Sequence, residues 1–167
     1  MKITDALRGE HGVFYAQFVL MQETARAAEL QIIQAQGALL AAALVPHAQI
    51  ENEILFPAIE AEIGEQGPTR VMREEHAQIE GMLTRLQTLR EFTQAHDEIE
   101  SKLAQLPNLT TAEEARALID DMIYAAREHF AKEEQVLFPM CEEFLSARAL
   151  TELGAQWAER RGVTCSL

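Results

Sequence analysis

Two stretches of this chain set a histidine and a glutamate at the same spacing. His47-Ala-Gln-Ile-Glu51 runs on to Leu55-Phe56-Pro57, and His129-Phe-Ala-Lys-Glu133 runs on to Leu137-Phe138-Pro139. On a helix, residues four apart share a face, so each pair presents an imidazole beside a carboxylate. Two more histidines stand in matching tetrapeptides, Arg8-Gly9-Glu10-His11 and Arg73-Glu74-Glu75-His76. A single histidine on an apolar stripe is ordinarily a core residue with a hydrogen-bond partner. Four of them with two glutamates are a different case, because a buried carboxylate without a partner is costly and two close together repel. Charging the histidines to pair with them adds its own burial cost. Divalent or trivalent cations remove both problems, since neutral imidazole and ionised carboxylate are what they bind.

The elements that must carry these residues read as helices. Apolar positions recur at steps of three, four or seven. The first stripe is Ile3, Leu7, Phe14, Phe18 and Met21; the second Ile33, Leu40, Leu44, Ile54 and Ala58. The third is Met72, Ile79, Leu83 and Leu86, and the fourth Leu118, Met122, Ala125, Val136 and Met140. His11, His47, Glu51, His76, His129 and Glu133 fill the gaps in these stripes, so all six point inward. Gly64-Glu65-Gln66-Gly67-Pro68-Thr69 breaks the second helix from the third. Leu106-Pro107-Asn108-Leu109-Thr110-Thr111 precedes the fourth, with Thr110 or Thr111 as N-cap and Glu113 and Glu114 in the first turn. Residues 146–160 predict a shorter fifth helix. The expected fold is all-α, a four-helix bundle with a short extra C-terminal helix. It forms one domain over 1–167, with a core of about 1–145 and an extension at 146–167.

Composition narrows the partners. The 167 residues carry a formal net charge of −13 and are rich in strong helix formers. An acidic chain lacks the basic face that nucleic acid or an anionic membrane requires. No run of 18 residues reads as an uncharged apolar span, and the charged N-terminus does not read as a signal peptide. Cys141 and Cys165 form neither a disulfide framework nor a zinc-ligand spacing. The expectation is a cytoplasmic protein with no nucleic-acid or membrane partner.

Glu-x-x-His, the motif of ferritin-like di-metal bundles, is absent, as is the His-Glu-x-x-His of zinc proteases. What recurs is His-x-x-x-Glu followed by Leu-Phe-Pro, once in each half and each time after an Arg-x-Glu-His. With these motifs the chain resembles hemerythrin-like HHE cation-binding domains over roughly residues 1–145. The resemblance implies an up-down four-helix bundle holding two iron ions, oxo- or hydroxo-bridged, with Glu51 and Glu133 as bridging carboxylates. It further implies that His11 and His47 cap one ion and His76 and His129 the other, leaving open positions for a small diatomic ligand. Manganese or zinc would suit the same donors.

The chain departs from oxygen-carrying hemerythrins, which use five histidines and an aspartate bridge. Glu80 stands one turn after His76, and both bridging candidates are glutamates. Four histidines and two glutamates look closer to the cluster-repair and iron-sensing types. Glu80 is a candidate extra ligand or base, or a boundary residue. Tyr15, its counterpart after His11, contacts a bound ligand or packs in the core. Glu10, Glu75 and Glu128, each just before a ligand histidine, are expected to be solvated, and His96 to lie on the surface. The Leu-Phe-Pro repeats are expected to kink their helices and wall the site from water. Function reads as oxygen or nitric oxide binding, or sensing of iron or redox state. Rival readings are an enzyme of nitric oxide and oxidative stress or of cluster repair, and a plain metal store.

Overall fold

The computed structural model describes residues 1–26, 29–91, 109–110 and 112–164. Helix α1 spans Ile3–Ala25 and α2 spans Leu30–Ile50. One π-helical turn, Glu51–Leu55, carries α2 into α3, Phe56–Ile63. Helix α4 is Pro68–Thr88, opened by a proline in its first turn, where the missing N–H costs nothing. Helix α5, Ala112–Lys132, passes through a second π-helical turn, Glu133–Leu137, into α6, Phe138–Phe144. Helix α7, Ala147–Arg161, closes the chain. Among the described residues the only strand pairing is two residues long, Arg90–Glu91 beside Leu109–Thr110. The fold is therefore all-α, as the periodicity predicts. His96, Cys165 and the proposed Thr111 cap lie outside the described residues.

Helices α1, α2, α4 and α5 pack in a ring, and α7 lies along α1. Ser146 caps α7 by accepting from the Ala149 N–H at 3.1 Å, and Gly162 ends it at φ 65°, a left-handed conformation that suits glycine. The core forms two apolar layers. One contains Phe14, Phe18, Leu40, Leu83, Ile119 and Phe130; the other contains Leu7, Ile54, Phe56, Met72, Phe138 and Leu150. Between them each helix passes through its polar residues: Leu7 and Phe14 flank His11, and Met72 and Ile79 flank His76.

The fourth stripe needs correction. Val136 is 49% exposed, and Leu118, Ala125 and Met140 are only partly buried. Ala115, Ile119, Met122, Ala126 and Phe130 form the true core face. Neighbouring apolar residues made both registers readable, and the π turn then adds one residue, so Leu137 takes the place Val136 would have held. The prolines explain that turn. Pro57 and Pro139 donate no backbone hydrogen bond, and the N–H groups of Phe56 and Phe138 reach five residues back, to the carbonyls of Glu51 and Glu133. The expected kink is thus a one-residue bulge, placed on the two ligand-candidate glutamates.

Helix α2 also differs from expectation. By length and composition alone, Leu30–Ile63 is apolar enough to cross a membrane. Here one face of it packs in the bundle through Leu30, Ile33, Leu40, Leu44 and Ile50, and carries His47 and Glu51 inward.

Candidate metal centre

All six inward residues meet in the polar layer. His11, Glu51 and Glu133 are fully buried, and His47, His76 and His129 are at most 7% exposed. One donor atom from each of His11, His47, Glu51 and Glu133 lies within 4.8 Å of the others, and the same holds for His76, His129, Glu51 and Glu133. The glutamates belong to both groups. The Nε2 atoms of His11 and His47 are 3.2 Å apart. Glu51 Oε2 stands 3.4 Å from His47 Nε2 and 3.2 Å from His76 Nε2, and Glu133 faces His11 at 3.3 Å and His129 at 3.2 Å.

The outer nitrogens show why every Nε2 faces inward. His11 Nδ1 meets Glu134 at 2.8 Å, His47 Nδ1 meets Glu10 at 2.5 Å and His129 Nδ1 meets Glu75 at 3.0 Å. His76 Nδ1 meets the Asn52 side-chain oxygen at 3.2 Å. An acceptor at Nδ1 holds the ring proton there and leaves the Nε2 lone pair aimed at the centre. Both oxygens of Glu51, both of Glu133, and Nε2 of His76 and His129 have no hydrogen-bond partner. Six bare acceptor atoms in one dry layer are a donor set for cations, and the residues fit the metal that their chemistry implies.

Taken as protein groups alone, the two carboxylates cannot both ionise comfortably. Burial and the neighbouring Glu133 push Glu51 well above the ordinary carboxylate range. Burial also acts on Glu133, but the charge of His129 and the close imidazole nitrogens of His11 and His129 outweigh it and draw it down. Burial lowers His47, and burial with the His129 charge lowers His76 to about 3. His129 rises despite its burial, because Glu133 and Glu75 favour its charged form.

Residue types and spacing made the family readable, and the whole-chain comparison bears on it directly. The hemerythrin HHE cation-binding domain model matches residues 2–94 and 87–161. The chain belongs to the hemerythrin HHE cation-binding family. Searches of curated proteins and of solved structures returned no match. The family and the donor set together make this a metal-binding helical bundle.

Several roles differ from the sequence reading of this hemerythrin-like chain. Glu10 and Glu75 are not solvated. They reach across to hold the histidines of the adjacent helix, whereas Glu128 is exposed as expected. Burial alone would raise Glu10, yet its bonds to His47 and Arg161 bring it down to about 2. Glu134 and Asn52 were missed, although each follows a ligand-candidate glutamate at the same place in the repeat. Phe130 stacks on His11 at 4.0 Å between ring centres. Tyr15 packs edge-on against Phe18 and Phe130. Glu80 is exposed and belongs to neither four-residue group. Cys141 is buried and free, its thiol pushed up to about 12 by burial and the acidic groups near it.

The phenylalanines of the repeats have a defined task. Phe138 stacks on His11 at 5.6 Å and Phe56 on His76 at 5.7 Å. Arg8 lies over Phe138 and Arg73 over Phe56, anchored by Glu142 and Glu60. Each end of the layer is thus closed by a histidine and a guanidinium from one half and a ring from the other.

Proposed function

We propose that this hemerythrin-like chain holds two iron ions, bridged by Glu51 and Glu133 and capped by His11 and His47 on one side and His76 and His129 on the other. The centre serves to bind a small diatomic ligand, oxygen or nitric oxide, or to report iron or redox state. The observation that carries the reading is the pair of four-residue groups that share both buried glutamates. Carboxylates bridge two cations and imidazoles do not, which is why the shared residues are the glutamates. When bound, two such ions supply redox chemistry and open coordination positions that the protein donors do not fill.

A cavity of about 20 Å³ touches His47, His76 and His129 and is walled by Leu44, Ile79, Leu83 and Phe130, with Glu80 also at its wall. That volume accommodates one water-sized molecule. It suits a diatomic ligand. The protein residues around it keep the ligand dry and fix the imidazoles. Elemental analysis of protein purified from its own cells should give two irons per chain. Stopped-flow mixing of the reduced protein with oxygen or nitric oxide should give a spectral change that reverses when the gas is removed. One metal per chain overturns the two-ion reading, and catalytic consumption of the gas moves the protein among the enzymes.

A further inference from the structure

Helix α7 is not needed to complete the ring of four helices, yet it ends on the metal centre. Trp157 Nε1 donates to Glu10 at 3.0 Å, and Arg161 donates to the same carboxylate through Nε at 2.6 Å and Nη2 at 2.8 Å. Glu10 in turn holds His47 Nδ1. The helix is seated closely: Leu150 and Ala158 are buried, and a methyl group at Gly154 would lie 2.2 Å from the Met1 carbonyl oxygen.

Among the described residues the other half has no such device. Glu75, the repeat partner of Glu10, holds His129 but is itself met by Lys132, whose side chain is 46% exposed. A planar guanidinium with two donors and an indole N–H fix a carboxylate; an exposed ammonium on a flexible stem does so less well.

We propose that α7 is a clasp on the metal position built from His11 and His47, acting through Trp157 and Arg161 on Glu10. The two positions are therefore unequal, the clasped one releasing its ion more slowly. Trp157 and Arg161 are positioning residues that never touch the metal. Outer hydrogen bonds orient metal-ligating imidazoles, and removing one commonly changes metal affinity by about 10- to 100-fold. The proposal rests on the two-ion reading above.

The test loads the full chain with ferrous iron without oxygen, mixes it with excess ferrous chelator and follows the coloured complex. Wild-type protein should lose two ions in two phases of equal amplitude. Arg161→Ala, alone or with Trp157→Phe, should accelerate the slow phase about 10- to 100-fold and leave the fast one unchanged. Arg161→Lys should recover part of the difference. Lys132→Ala should act on the fast phase alone, and Arg160→Ala, which breaks only an exposed pair with Glu53, on neither. Melting of each variant with chelator present separates this effect from loss of fold. Two ions leaving in one phase, or a slow phase unmoved by Arg161→Ala, overturns the clasp while leaving the two-ion reading intact. Loading of one ion or none overturns that reading and the clasp with it.

Discussion

The two halves of the bundle present the same ligands in different settings. His11 and His47 are each backed by a carboxylate, Glu134 and Glu10, and the second of these is tied to α7. His76 is backed by the amide of Asn52, itself contacted by Arg73, and His129 by Glu75 with Lys132. An imidazole backed by a carboxylate is a stronger donor than one backed by an amide. The inner donors are thus the same in both halves, while the partner of the first histidine (Glu134 or Asn52) and the support of the outer glutamate differ. On the two-ion reading, the inner layer would set which ions bind and the outer layer how the two positions differ.

The largest expected effect removes what the halves share. Glu51→Ala or Glu133→Ala takes a donor from both positions at once and leaves two cations close together with less negative charge between them. Each should lose at least one ion per chain and the visible bands, read by elemental analysis and absorbance. Arg70→Ala, which breaks an exposed pair with Glu74, should change neither. A Glu133→Ala protein with two ions and unchanged spectra would refute the bridge assignment.

The capping histidines should break the symmetry. His11→Ala should abolish the slow release phase and His76→Ala the fast one, each halving the metal content. If either variant removes both phases equally, the halves are not separable positions.

Acidity tests the layer with chelator present. Above pH 6.5, the ordinary histidine value, two groups act in one direction. His129 has a raised folded value, so its contribution is full below 6.5 and is lost as pH rises through that value. Glu51 is also raised, so the folded chain keeps a proton that the unfolded chain has released, and stability again falls with rising pH. Below 6.5 the lowered His47 and His76 oppose this trend, because the unfolded chain takes up protons that they refuse. Stability should therefore fall as pH rises above 6.5, by up to about 1.4 kcal/mol per pH unit for each proton retained, and the melting temperature should fall with it. Glu51→Gln should flatten the slope. Metal should reverse it, since both carboxylates then ionise against a cation.

Much of this was legible in the sequence because it repeats along single helices. His47 and Glu51 share a face by helical geometry, and so do His129 and Glu133. The first and third apolar stripes follow the same rule, and the second does so until Ala58, which lies beyond a π turn and is only partly buried beside the buried Ile59. What was not legible crosses between helices. Glu10 sits about 100° around α1 from His11, so down one helix it looks solvated, yet its carboxylate reaches His47 on α2. The fourth stripe failed for two other reasons: neighbouring apolar residues made two registers readable at Leu118 and Ala125, and from Glu133 on a π turn shifts the register by one residue, signalled only by the proline that follows. The repeat itself held the missing clue, since Asn52 and Glu134 occupy equivalent places after the two glutamates.

The smallest predicted difference lies in the two arginine clamps. Arg8 stacks over Phe138 at 5.3 Å and Arg73 over Phe56 at 5.1 Å. A partly exposed cation over a buried ring contributes roughly 0.5–1 kcal/mol, and the ion pairs with Glu142 and Glu60 add at most about as much. Arg8→Ala and Arg73→Ala should therefore lower the melting temperature in chelator by similar, modest amounts. Their effects on metal should part. Arg73 also donates to the Asn52 backbone carbonyl at 2.9 Å and to its side-chain oxygen at 3.3 Å, the same oxygen that meets His76 Nδ1. Arg8 bonds Glu142 and pairs with Asp5, neither of which is Glu134, the partner of His11. Removing Arg73 frees Asn52 to turn and His76 with it, whereas removing Arg8 leaves His11 held. Arg73→Ala should thus speed the fast phase of iron release by a few-fold, with Arg8→Ala leaving both phases within error of wild type. Equal acceleration by the two variants would mean that the rings, and not the outer hydrogen bonds, hold the histidines in place.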